Sequence, residues 1–178
     1  GEVMQLVRAG DPDTSREQYF DVITRKTAIL FAAACEGAAM LSGESDEVRQ
    51  RMQNLGLNVG IAFQLIDDVL DYEGDPETTG KNVGDDLSEG KPTLPLIHAM
   101  QHASPADAAI IATALRTKSA EHLNKIVALA SDTGGIAETR IAAKTHCDSV
   151  NEELKTLAPS AAKKSLETLA AFSLSRES

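Results

Sequence analysis

From about Asp46 to Tyr72 the chain reads as one helix, and from Leu55 onward it is apolar nearly all round up to its last turns. A helix that is apolar nearly all round needs neighbours on every side, so it belongs inside a helical assembly. Its last turns, FQLIDDVLDY (residues 63–72), nevertheless carry Asp67, Asp68 and Asp71 with no basic residue in the run. At about 100° per residue, Phe63, Leu65, Ile66, Val69 and Leu70 share one broad arc. Asp67, Asp71, Gln64 and Asp68 share the opposite one. The usual meaning of such a split is a solvated polar face. Following the acidic arc upstream, however, gives Gly60, Ile61 and Leu57, none of them polar. Like charges at i,i+4, such as Asp67 and Asp71, cost helix stability, and burial adds desolvation. A divalent cation would offset that cost. Asp67 and Asp71 lie one turn apart and can converge on one ion, and hard carboxylate oxygens suit Mg²⁺, which takes phosphate as a further ligand. Spacing alone leaves both readings open.

The rest of the chain also reads as helix. The stretch DTSREQYFDVITRKTAILFAAACEGAAMLSG opens with Ser15 and Gln18 in capping-box spacing and stops at Gly43. Gly74 and Pro76 end the acidic helix, and a long polar loop, EGDPETTGKNVGDDLSEGKP, follows. Loops of that length inside a compact domain are often functional. Helix resumes near Thr93 to His102, and Ser104-Pro105 reads as an N-cap followed by proline at the first helical position. Further helices run to the C-terminus, broken at Lys118-Ser119, Gly134-Gly135 and Pro159-Ser160. Aromatic residues are only 3% and Trp is absent, so Ala and Leu must do most of the packing, a mix that favours helix over strand. The expectation is one all-α domain over residues 1–178.

Charge narrows the partners. A net charge of -10 repels nucleic acid and anionic membrane. No apolar run is long enough for a transmembrane segment, and no secretory signal opens the sequence. Cys35 and Cys147 form no CxxC pair and read as buried free thiols of a reducing, cytoplasmic compartment, with one disulfide as the alternative. An acidic protein that binds an anion needs metal or clustered lysine. Lys26 falls on the stripe Ile23, Leu30, Ala34, Gly37, which reads as core-facing, and lysine is rarely buried without an anionic partner. Against that stands snorkelling of the ammonium to solvent. Thr27 beside it can simply bond back to a helix carbonyl. Lys81 and Lys91 each follow a glycine in the polar loop, where backbone can approach a ligand closely and lysine can bind phosphate.

Other motifs fail. The spacing before Lys81 and the Asn82 after it break a P-loop, and Pro76 breaks an EF-hand. Asp85-Asp86 reads as a turn or cap pair. His98 and His102 have metal-pair spacing but no accompanying Glu, and read as surface or packing residues.

FQLIDDVLDY followed by GKNVGDDLSEGKPTLP closely resembles the second aspartate-rich region of trans-polyprenyl diphosphate synthases, with the bacterial octaprenyl type nearest. KTAILFAAACEGAAMLSG resembles the Lys-Thr helix of the same family, and the likeness continues through GGIAETR and LAPSAAKKSLETLAAF. The resemblance implies an isoprenoid synthase-type helical bundle, here its C-terminal half. It implies head-to-tail prenyl transfer, in which isopentenyl diphosphate adds to an allylic prenyl diphosphate and builds a long all-trans chain for ubiquinone. In those terms Asp67, Asp68 and Asp71 hold Mg²⁺, and Lys26, Lys81 and Lys91 neutralise diphosphate. Thr27 and Gln64 flank the reacting carbons with oxygen dipoles, and Phe63 lines the isopentenyl pocket. Fixed cations suit a leaving diphosphate, while a carbocation needs a dry site with weak dipoles.

The family's first aspartate-rich motif and its arginine pair have no counterpart here. GEVMQLV starts as if inside a helix, and the resemblance puts Glu2 at a polar family position near the substrate. The expectations are little activity for this polypeptide alone, a homodimer when full length, and a fragment prone to associate through exposed apolar faces. A non-catalytic subunit or interaction module of the same family is the main alternative. A terpene-cyclising relative is a third, disfavoured by the two loop lysines.

Overall fold

A computed structural model describes residues 1–73 and 83–175, and every regular element among them is helical. In chain order these are α1 (Glu2–Arg8), α2 (Arg16–Ile23), a π-helical segment (Thr24–Ala28), α3 (Ile29–Leu41) and α4 (Asp46–Glu73). Then come α5 (Asp85–Ser88), α6 (Leu94–His102), α7 (Pro105–Thr117), α8 (Leu123–Asp132), α9 (Gly135–Lys155) and α10 (Ala161–Ser175). The breaks at Gly74 and Pro76, like Lys81, lie outside the described residues.

Local signals explain the boundaries. The Ser15 N–H donates to Gln18 Oε1 at 2.9 Å and the Gln18 N–H to Ser15 Oγ at 3.2 Å, so the capping box closes both ways at the start of α2. The Ser104 hydroxyl oxygen accepts from the Asp107 N–H at 3.2 Å, with Pro105 opening α7.

The chain divides into two compact units. One comprises Gly1–Val22 with Asp67–Ile141, the other Ile23–Ile66 with Ala142–Arg176. The core of the first gathers Val69 and Tyr72 of α4, Leu87 of α5, Leu96 and Ala99 of α6, and Ile111, Ala114 and Leu115 of α7. Ile126 and Ala130 of α8 and Ile136 of α9 complete it. Each fully buried Leu or Ile there is worth about 1.5–3 kcal/mol. The core of the second packs Leu55 and Val59 of α4 with Val150 and Leu154 of α9 and Ala170 of α10, flanked by Phe31 and Cys35.

Within the second unit, α4 passes very close to the π segment and the start of α3. A Cβ on Gly60 would lie 2.5 Å from the Ala28 Cα, and one on Gly56 would collide with the Phe31 carbonyl. Glycine at these two positions is therefore a packing requirement.

The π segment corrects the stripe expected around Lys26. The Ile29 N–H reaches back to the Thr24 carbonyl, so an extra residue enters the turn. Residues before and after it no longer keep the phase of a regular helix. Ile23 is buried, but Leu30 is 68% exposed and Ala34 is exposed. The buried line of α3 runs instead through Ala32 and Ala39. Both cysteines are free thiols, Cys147 buried and Cys35 half-buried.

Candidate functional site

The acidic end of α4 lies in the first unit. Asp68 is 3% exposed and Asp71 6%, while Asp67 is half-buried. The solvated-face reading therefore fails for Asp68 and Asp71. Helix α2 approaches here: the Tyr19 hydroxyl donates to Asp68 Oδ2 at 2.6 Å, with both side chains buried. Burial first, and then the charge of Asp68, hold the Tyr19 phenol well above its ordinary pKa, so it stays a donor.

Asp71 faces the start of α5. The Asp86 N–H donates to both Asp71 carboxylate oxygens, at 3.2 and 3.3 Å. The Asp71 carbonyl accepts from the Gly84 N–H at 2.9 Å. The Asp86 side chain in turn receives Lys91 Nζ at 2.7 Å, and the same ammonium meets Glu89 at 2.7 Å. Burial pushes the Asp71 carboxyl up to about 7, and the negative charge of Asp86 adds to the push. The Asp86 N–H and the Lys91 charge work against that rise without cancelling it. For Lys91, burial acts to lower the pKa, but the carboxylates of Asp86 and Glu89 outweigh it and hold the ammonium protonated.

Lys91 thus stands in the acid cluster, although nothing in FQLIDDVLDY itself is basic. The glycine before it serves the backbone. Gly90 has φ 74°, and a Cβ there would lie 3.0 Å from the Leu115 carbonyl. The Gly10 N–H donates to the Gly90 carbonyl at 2.7 Å. Its freedom is spent on a left-handed turn and a close chain crossing. Asp85 and Asp86 open a short helix, as the turn reading expects, but Asp86 also links Asp71 to Lys91. Sequence reasoning passes over Asp86 in that role, and over Tyr19 altogether.

Lys26, Thr27, Phe63 and Gln64 belong to the second unit. The Thr27 hydroxyl donates to Gln64 Oε1 at 3.0 Å, joining the π segment to α4. The Thr27 hydroxyl therefore reaches across to α4. Phe63 packs its ring 5.9 Å from that of Phe31. Lys26, beside Thr27 in the same π segment, is half-buried. Such segments recur at functional sites because they re-aim side chains within an otherwise regular helix. His98 and His102 stack 4.0 Å apart, and their ring nitrogens engage the carbonyls of Thr133 and His98. They serve packing.

Among the described residues no group of three or more His, Cys, Asp or Glu side chains stands ready to hold a metal ion. The donor set still fits a hard divalent cation. Its atoms are carboxylate oxygens, and burial together with the nearby negative charges of Asp86 and Asp85 raises Asp71, a cost that a hard cation would offset.

A family model described as polyprenyl synthetase matches residues 1–131. Octaprenyl diphosphate synthase of Escherichia coli (strain K12) is 44% identical over 178 residues, 99% of this chain and 55% of that protein. All-trans-nonaprenyl-diphosphate synthase (geranyl-diphosphate specific) of Rhodobacter capsulatus is 38% identical over 176 residues, covering 54% of its own length. The crystal structure of a polyprenyl synthase from Caulobacter crescentus CB15, complexed with calcium and isoprenyl diphosphate, superposes with a TM-score of 0.92 at 37% identity. The match covers 99% of this chain and 55% of that one. The chain thus spans about half the length of the curated relatives it matches.

Proposed function

The chain belongs to the polyprenyl synthetase family, and from that premise we propose that it is part of a prenyltransferase that lengthens an allylic prenyl diphosphate with isopentenyl diphosphate. The product is a long all-trans polyprenyl diphosphate for the ubiquinone side chain, made in the cytoplasm by a homodimer when the protein is full length. The burial of Asp68 and Asp71 carries the reading, because a divalent cation would offset the desolvation cost of carboxylates kept from water. The Caulobacter structure, with its calcium and isoprenyl diphosphate, supports it.

On this reading Asp67, Asp68 and Asp71 hold Mg²⁺, with Asp67 and Asp71 the most direct ligands. When bound, Mg²⁺ neutralises charge on the leaving diphosphate. Lys26, Lys81 and Lys91 add fixed positive charge to the same group. Thr27 and Gln64, already hydrogen-bonded to each other, orient weak oxygen dipoles toward the reacting carbons. Phe63 keeps water from the isopentenyl chain.

Calorimetric titration of the chain with inorganic pyrophosphate tests this. Binding should require Mg²⁺ and weaken at least about tenfold in Asp67→Asn and in Asp71→Asn, the cost of losing one good ionic contact. Binding that ignores Mg²⁺, or survives both substitutions, overturns the reading. Turnover of an allylic primer with isopentenyl diphosphate by this chain alone should be slight. Full turnover would show that these residues suffice by themselves.

A further inference from the structure

We propose that Tyr19 is a positioning residue for the acidic cluster, its hydroxyl fixing the orientation in which Asp68 meets a divalent cation. The inference rests on the metal reading above and goes beyond it by naming a residue outside every motif considered. Tyr19 and Asp68 lie in the same unit, 49 positions apart, joined by a 2.6 Å hydrogen bond between buried groups. The Tyr19 ring is held in place by an edge-on contact with Phe20 at 5.5 Å. A short O–H···O⁻ bond to a packed ring fixes both the rotamer of the carboxylate and the oxygen engaged. Here that oxygen is Oδ2, so the cation is met by an aspartate that cannot swing freely. Partners of this kind, one bond removed from the ion, orient the ligands that touch it.

A tyrosine that merely satisfies a buried carboxylate would make the same bond. The two roles differ in what they move. A purely structural Tyr19 affects stability and leaves the metal affinity of the folded chain alone. Tyr72 supplies the comparison, because its buried hydroxyl pairs with Thr93 at 2.6 Å rather than with a carboxylate.

The test is titration of the chain with Mn²⁺, with and without inorganic pyrophosphate, followed by electron paramagnetic resonance at a temperature where each variant is folded. Tyr19→Phe should weaken Mn²⁺ binding about 10–100-fold, the usual loss on removing such a partner. In an Asp68→Asn background the same substitution should add less than about twofold, as expected when one residue acts through the other. Tyr72→Phe should leave the affinity unchanged. Wild-type affinity in Tyr19→Phe, or an equal loss in the Asp68→Asn background, overturns the inference while the metal reading stands on Asp71→Asn. If Asp71→Asn also binds Mn²⁺ normally, the metal reading and this inference fall together. A second measurement needs no substitution at Tyr19. With 3-fluorotyrosine incorporated, Mg²⁺ should move the Tyr19 fluorine resonance, and Asp68→Asn should abolish the movement. A resonance that stays still under saturating Mg²⁺ overturns the proposal.

Discussion

Below the ordinary carboxylate pKa Asp71 is protonated whether the chain is folded or not. In the folded chain burial and Asp86 raise its pKa from 3.8 to about 7, so between those values the folded state binds the extra proton. Stability from this group is therefore fully present below about pH 3.8 and is lost as pH rises through 7. Without divalent ions the chain should melt higher at pH 5.5 than at pH 8, by at least about 2 °C for a domain of this size. Asp71→Asn, which cannot ionise, should flatten that difference and melt above wild type at pH 8. A wild-type melting temperature that rises with pH over this range would contradict the assignment. The segregation of the acids on one arc is legible in the sequence from helical angle, but whether that arc is wet or dry is decided only in the fold, where Asp68 and Asp71 are buried and Asp67 half-buried. Tyr19 and Asp86 are not legible. Angle relates residues within one helix, whereas these reach Asp68 and Asp71 from separate elements, and only the folded chain shows which hydroxyl and which backbone N–H arrive there.

Helix ends follow from local chemistry and are read easily: the Ser15–Gln18 box and the Ser104–Pro105 start both form as their residues suggest. The phase inside a helix is harder, since nothing in TRKTA announces an inserted residue. That is why Leu30 and Ala34 share a stripe with Ile23 on paper and not in the fold. The close approach of α4 to the π segment offers a test at this scale. Gly60→Ala gains helix propensity of up to about 1 kcal/mol. It also drives a methyl to 2.5 Å from the Ala28 Cα, and backbone there cannot swing aside as a flexible side chain would. A net loss of about 1–3 kcal/mol should result, as in other overpacked cores. Gly37, in α3, has open space around it, with nothing within 4 Å of where an added methyl would stand. Gly37→Ala should therefore stabilise by about 0.5–1 kcal/mol. Urea denaturation of the two variants reads the opposite signs directly, and two losses of equal size would refute the close-packing account.

Two tendencies compete in the molecule as a whole. Helix α1 exposes Val3, Leu6 and Val7, and α3 exposes Ile29, Leu30, Met40 and Leu41, the last at 92%. Periodicity reveals that such faces are apolar without saying what covers them, which is why Leu30 reads as core from sequence. Apolar surface of this kind favours association. The net charge of -10 opposes it, because every copy repels every other. Salt separates the two. Screening shortens the reach of the repulsion to about 8 Å at 0.15 M and about 3 Å at 1 M, while leaving the apolar attraction in place. Association of the chain should therefore grow as salt is raised, the reverse of contacts held by ion pairs. In sedimentation velocity the weight-average coefficient should climb with both protein and salt concentration. Leu6→Lys combined with Leu30→Lys should hold the chain near the monomer value at every salt. Association that weakens with salt, or that persists unchanged in the double variant, would place the driving force in charged residues and take it away from these two helices.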